Sequence, residues 1–365
     1  MLTHSHALSS VISTEFALSP SRVETFTRLV CGVLSTRTVN LAQIAAHDPG
    51  RAKVSSAMRR NQRFFEKVEL SSRDAMQALV RMSGLKAPYQ LCLDRTNWQF
   101  GKTNINYLVL SITTKTMRIP VLWKLIASQA NSNTQDWIEL IDTWISSFGA
   151  DSINLLLADR EFVSNQWFDA LVARNVPFCI RVKEGRYVSL DDGRCMRLKT
   201  LASKLQTRGK LSQHPGKLGH MKAGFALRFA AKKPRKGDMI VVACHGIKAK
   251  KALALYKQKW RIETMFADWK TRGLNIEDTH LRCPKKLSLL LMVVAIAALW
   301  AQRLVQLMPR AEQPKKAGHG YLRKSWFRAG WDKLRAMASQ DPYAMLESWR
   351  SLWKTANAPN TMRVV

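Results

Sequence analysis

Residues 89–126 read YQLCLDRTNWQFGKTNINYLVLSITTKTMRIPVLWKLI. The pieces YQLCLDRTNWQF, INYLVLSITT and IPVLWKLI are rich in β-branched and aromatic residues, and turn-forming stretches such as Gly101-Lys102-Thr103-Asn104 separate them. That pattern predicts three antiparallel strands. Downstream come a helix, TQDWIELIDTWISSF, a strand, INLLLADRE, a second helix, NQWFDALVARN, and a strand, PFCIRV. Elements in this order build a mixed α/β sheet covered by helices.

Outward from this stretch the character of the chain changes. Residues 1–85 have apolar positions at helical spacing and no long alternating run, which predicts a helical N-terminal region. Within it NLAQIAAHDPGRAKVSSAMRRNQRFFEKV (40–68) sets two helical stretches around the turn residues Asp48, Pro49 and Gly50, the arrangement of a helix-turn-helix. On the second helix Val54, Ala57, Met58, Phe65 and Val68 share one face, and Arg59, Arg60, Arg63 and Lys67 the opposite one. One face packs; the other is a solvated stripe or a surface that meets DNA phosphates. Residues 184–250, with turn signals around Asp191, His214 and Lys236, predict a basic β-rich insertion that divides a core of residues 86–183 and 251–310. Residues 311–365 form a basic C-terminal region suited to dimerisation or DNA contact.

The chain has 365 residues, with 58 Lys and Arg against 26 Asp and Glu, a formal net charge of +32. Residues 160–260 alone hold 23 Lys and Arg against 6 Asp and Glu. Such a field attracts a polyanion, with nucleic acid the leading candidate and an anionic membrane surface the second. The apolar run LSLLLMVVAIAALWA from Leu287 is about fifteen residues, short of the roughly eighteen that a span requires, and reads as a buried core helix. The opening residues MLTHSHALSS lack a charged segment followed by an apolar one, so a cytoplasmic protein is expected. Six scattered cysteines (Cys31, Cys92, Cys179, Cys195, Cys244 and Cys283) form no Cys-x2-Cys pair. They predict reduced packing residues, and the adjacent Cys244 and His245 lack partners at zinc-ligand spacing.

Three carboxylates carry the chemical signal. Asp94 sits in the middle of the first strand, where an ionised side chain is costly unless a cation or donor meets it. Asp159 ends the apolar strand INLLLADRE, at the carboxyl edge where open α/β sheets place ligand sites. Glu263 lies in YKQKWRIETMFADWK (256–270). If that stretch is one helix, Tyr256, Lys259, Glu263 and Lys270 fall on one face, with Trp260, Ile262, Phe266 and Trp269 packing around it. Taken alone, Lys259 and Glu263 make an ordinary i,i+4 surface pair. Three acids converging from two strands and a helix predict a cage for hard divalent cations: two Mg2+ ions, with Mn2+ as a substitute.

The segments RRNQRFFE, LDRTNWQFG, INYLVLSI, IPVLWKLI, LLLADREF and WRIETMFADWK together resemble the DDE transposases of bacterial insertion sequences, specifically insertion sequence family four with its Tyr-x2-Arg-x3-Glu-x6-Lys signature. The resemblance spans roughly residues 25–300. It implies an RNase H-like catalytic core, which the element order also matches, interrupted by a β-strand insertion. It implies Mg2+ dependence, binding to terminal inverted repeats of double-stranded DNA, and cut-and-paste movement through hairpinned ends. A homodimer in the synaptic complex is expected. The catalytic and metal-binding triad falls on Asp94, Asp159 and Glu263, and the signature Tyr and final Lys on Tyr256 and Lys270. Phosphate contacts are expected from Tyr256, Lys259, Lys270 and Arg160, and from Arg59, Arg60 and Arg63 in the N-terminal region. Two departures stand out. Lys259 replaces the signature Arg and loses its bidentate fork, and no Trp lies between Trp167 and Trp260 to stack on a flipped base, leaving Tyr187, Phe225 or Phe229 for that role. A metal-dependent nuclease without strand transfer and a non-catalytic DNA-binding derivative are the alternatives.

Overall fold

Helices open the chain, as its apolar spacing predicts. The computed structural model describes residues 7–357 apart from 49, 51, 127–131, 207–213, 220–226, 233–237, 271 and 319–321. Helices α1 (Ala7–Glu15), α2 (Pro20–Thr36), α3 (Leu41–Ala46), α4 (Val54–Lys67) and α5 (Ser72–Ser83) come first. Caps set their ends: Asn40 accepts from the Ala42 amide to start α3, Ser71 accepts from Asp74 to start α5, and Gly84 closes α5 at φ 67°. The expected turn between α3 and α4 lies partly outside the described residues, at Pro49. On α4 the packed stripe is Ala57, Asn61, Phe64 and Phe65, continued by Val68, while Val54 is exposed and Met58 half-buried. The expected stripe was therefore rotated by part of a turn, because Phe64 and a buried Asn61 hold the inner face.

The three-strand stretch forms β1 (Tyr89–Phe100), β2 (Thr103–Thr113) and β3 (Arg118–Ile126), an antiparallel meander. It is followed by α6 (Thr134–Phe148), β4 (Ile153–Ala158), α7 (Asn165–Ala173) and β5 (Phe178–Val182). A reciprocal pair of bonds between Asn133 and Asp136 starts α6. β4 runs parallel to both β1 and β5, as a strand reached through a helical crossover should.

The basic segment supplies β6 (Tyr187–Leu190), β7 (Cys195–Arg197), α8 (Leu198–Gln206), β8 (His214–Leu218), β9 (Leu227–Lys232) and β10 (Ile240–His245). These strands extend the same sheet. β10 pairs with β5 in the register Ala243↔Ile180, giving ten strands in the order β3-β2-β1-β4-β5-β10-β9-β8-β6-β7. Of the aromatics in this segment, Phe229 is buried, Tyr187 is partly exposed beneath the Arg197 guanidinium, and Phe225 lies outside the described residues.

The chain returns through α9 (Ala249–Tyr256), α10 (Trp260–Trp269) and α11 (Pro284–Leu307), then ends in α12 (Trp326–Gln340) and α13 (Pro342–Asn357). The apolar run belongs to α11, a 24-residue helix with the length and composition of a membrane span, yet 94% of its most apolar stretch is enclosed by protein. α2, α5, α12, α13 and β3 pack against it. Even its polar positions are spoken for: Gln302 accepts from the Arg118 amide at 2.7 Å, and Arg303 donates to the Met82 carbonyl at 2.6 Å. The expectation of a core helix stands on that burial, while its length exceeds the apolar run because these two polar residues are satisfied inside.

Candidate active site

Strand register brings the first two acids together. Leu93 of β1 faces Ala158 of β4 in the last step of their parallel pairing, so Asp94 and Asp159 are the next residue on each of two adjacent strands. Strands in a sheet lie about 4.8 Å apart, which sets the two carboxylates side by side at the carboxyl edge. β1 runs on past this point against β2, with Asp94 opposite Val109, which keeps Asp94 buried at 7% exposure. β4 ends at Ala158, leaving Asp159 more open. Each carboxylate accepts the next amide of its own chain, Arg95 N at 2.9 Å and Arg160 N at 2.7 Å.

The third acid comes from α10, and here the structure differs from the sequence expectation. Residues 256–270 are not one helix. α9 ends at Tyr256, a tight turn covers Lys257–Lys259, and α10 starts at Trp260. The turn is wound by bonds to the third residue back, Gln258 to Leu255, Lys259 to Tyr256 and Arg261 to Gln258, so it keeps the chain right-handed while breaking the α pattern. Tyr256, Lys259 and Glu263 still reach a common point. Lys270 does not: it is the extended residue that closes α10 (φ −83°, ψ −150°), and its ammonium donates to the Asn97 carbonyl at 2.6 Å and pairs with Glu277 at 3.6 Å. Trp260, expected to pack, is 65% exposed, because the turn carries it to the rim.

At the centre stands Lys259. Its Nζ lies 3.1 Å from Asp94 Oδ2, 3.4 Å from Asp159 Oδ2 and 3.1 Å from Glu263 Oε1. Among the described residues no three His, Cys, Asp or Glu side chains close a metal cage by themselves; these three carboxylates meet through the ammonium. The cluster is graded in openness, from the nearly buried Asp94 to the Glu263 side chain at 55% exposure, so it opens on the α10 side. Burial raises Asp94 to about 6 despite the lowering effect of Lys259 and the Arg95 amide. For Asp159 burial also pushes up, but Lys259 and the Arg160 amide outweigh it and hold the carboxyl below its ordinary value. Burial works against the charge on Lys259, yet the three carboxylates raise its pKa. Tyr256 is pushed up first by burial and then by Asp159, and so stays a neutral phenol that donates to Asp159 Oδ1 at 3.2 Å.

The outlying expected contacts sort into two kinds. Arg160 is exposed beside Asp159. Arg59 and Arg63 are exposed on α4 and, with Gln62, Asn40, His280 and Lys286, line a groove of about 570 Å3 between α3, α4 and the start of α11. Arg60 differs, since its guanidinium is drawn to Asp48, which also binds Arg28; the arginine on the α2 side of that carboxylate was not visible as a partner in the local sequence.

Oxygen ligands clustered at one point, with a cation already standing among them, match the demands of hard divalent ions. Asp94, Asp159 and Glu263 are the residues that could hold such ions. The family model described as Transposase DDE domain matches residues 86–300, more than half of the chain and the stretch that holds all three acids. No curated protein matches the chain.

Proposed function

Since the chain belongs to the DDE transposase family, we propose that it is the transposase of a bacterial insertion sequence of family four, binding the terminal inverted repeats and carrying out cleavage and strand transfer. The observation that carries this reading is the convergence of Asp94, Asp159 and Glu263 on one point at the carboxyl edge of β1 and β4. In this reading β1–β5 with α6, α7 and α10 form an RNase H-like core, and the three acids hold the divalent cations. Mg2+, with Mn2+ as a substitute, supplies Lewis acidity for in-line phosphoryl displacement.

The protein's own groups then do three things. Asp94 on β1 and Asp159 just past the end of β4 fix one side of the site, while Glu263 closes it from the first turn of α10. Tyr256 holds Asp159 in place through its phenol hydrogen bond; having a single proton to give, it meets a phosphate oxygen only by exchanging that bond. Trp260 and Arg160 stand exposed at the rim, suited to stacking on a base and to gripping the backbone. Lys270, tied to the Asn97 carbonyl, steadies the strand that bears Asp94 and approaches DNA only from the flank. The exposed Arg59 and Arg63 of α4 belong to a DNA-binding N-terminal region, the strands of residues 184–250 lie along the DNA, and two copies of the chain pair the two ends through hairpinned intermediates.

The test uses labelled element ends. Wild-type protein with Mg2+ should cleave an intact end and join a pre-cleaved 3′-hydroxyl to target DNA, whereas Asp94→Ala, Asp159→Ala and Glu263→Ala should each lose both steps while still shifting the end in a gel. Cleavage without any joined product would identify a nuclease instead, and full activity in all three variants would remove the triad.

A further inference from the structure

Lys259 is nearly sealed from solvent, at 3% exposure, with its ammonium at hydrogen-bonding distance from all three acids. A cation of the Mg2+ class takes carboxylate oxygens at about 2.0–2.1 Å and demands a regular ligand shell. It cannot occupy the point where these oxygens converge while an ammonium of like charge stands there. We infer that Lys259 is a built-in counter-ion, which holds the three carboxylates together in the metal-free protein and competes with a divalent cation for them.

The inference rests on the reading of the three acids as metal ligands, and the local structure supports the exchange it requires. The Lys259 backbone is fixed in a hydrogen-bonded turn, with its amide on Tyr256 and its carbonyl accepting from Ile262. Its four-carbon stem is flexible, so the ammonium can withdraw while that turn stays intact. The open side of the cluster, at Glu263, provides the way out. Without either cation the acids would repel one another at short range, so removal of the ammonium raises the attraction of the site for metal and lowers the stability of the empty protein.

Full-length protein stripped by a chelator is titrated with Mn2+ alone, free Mn2+ being followed by electron paramagnetic resonance. Lys259→Met and Lys259→Gln should bind Mn2+ more tightly than wild type, by roughly tenfold or more. Lys259→Arg keeps a positive charge and should bind as weakly as wild type. In chelator both neutral variants should melt lower than wild type, and Mn2+ should raise their melting temperature by more. The Gln variant keeps a polar, hydrogen-bonding side chain, so it carries the test alone where the Met variant does not fold. Asp94→Asn is the control: loss of binding there, together with unchanged or weaker binding in the neutral Lys259 variants, overturns the counter-ion role and leaves the metal reading intact. Mn2+ binding unaffected by Asp94→Asn overturns the metal reading, and the counter-ion role with it.

Discussion

Trp260, the residue after Lys259, leaves its indole 65% exposed, so a flat apolar ring close in sequence to the site is open to a stacking partner. An unpaired base is the partner that suits a transposase, since base stacking on an aromatic side chain contributes about 1–3 kcal/mol. Trp260→Ala should therefore leave affinity for a fully paired duplex nearly unchanged. It should weaken binding to an end with unpaired bases at the cleavage point by roughly tenfold. Fluorescence anisotropy on the two DNAs measures both, and equal affinities in wild type and variant would dissociate Trp260 from the DNA. Neither the exposure of Trp260 nor the place of Lys259 among all three acids was legible in the sequence, and one reason is that a helical wheel assumes an unbroken helix. The positions of Tyr256, Lys259 and Glu263 survive the tight turn at 257–259 because it stays right-handed. Trp260 and Lys270 do not, because one lies at the turn and the other at the helix end. Asp94 and Asp159 were legible because strand alternation and strand ends are local features, whereas the direction of the Lys259 side chain is set by acids that lie about a hundred positions or more back along the chain.

Among the elements, α10 packs through Ile262, Met265, Phe266 and Trp269 and carries a second carboxyl near its end, Asp268. That side chain is half-buried near Arg118, with Ser325 Oγ at 3.4 Å; partial desolvation raises it from its ordinary value to about 7 even though Arg118, Ser325 and Arg272 pull the other way. A carboxyl with a raised folded pKa binds more protons in the folded than in the unfolded state between the two values. Stability from this group is thus present at low pH and lost as pH rises from about 4 through 7, over a span of order 1–4 kcal/mol. Asp268→Asn cannot titrate and should flatten that slope, which denaturant melts at a series of pH values would reveal; an unchanged slope would mean that Asp268 is ordinary. On α4 the exposed Arg59 and Arg63 are separated in role from Arg60 by the latter's ion pair with Asp48. Double replacement of Arg59 and Arg63 by Ala should weaken end binding and lower its salt slope by about two, one for each phosphate contact. Arg60→Ala should instead lower the melting temperature, because it unbalances a carboxylate shared with Arg28. The strand and helix bounds from 89 to 182 followed the composition closely, since each element there is short and strongly patterned. The basic segment was harder to place: its strands carry the signature of a β-rich unit, but no local pattern says that β10 will pair with β5.

At the scale of the whole molecule, α11 decides what can be separated from what. Its buried residues run from Leu287 to Val305 without an open face, and the elements that cover it come from both ends of the chain. Trp331 of α12 donates to the Leu34 carbonyl of α2 at 2.8 Å, Trp300 of α11 donates to Ser348 of α13 at 2.9 Å, and Thr38 donates to Asp278 at 2.5 Å. The division into residues 1–85, the core and residues 311–365 marks changes of composition, but these contacts tie the three into one hydrophobic body. A fragment limited to residues 86–310 would uncover Trp300 and leave Arg303 without the Met82 carbonyl and the Leu352 carbonyl that it now meets. Fully burying a large apolar side chain is worth about 1.5–3 kcal/mol, and α11 would lose that cover along much of its length. Several such losses on one helix exceed the margin of about 5–15 kcal/mol that a domain commands. The fragment is therefore expected to show no cooperative calorimetric transition and to expose apolar surface to a hydrophobic dye, while the full chain melts as one unit. A fragment that melts cooperatively at a temperature close to that of the full chain would show instead that the core stands alone and that the terminal helices are an appended module.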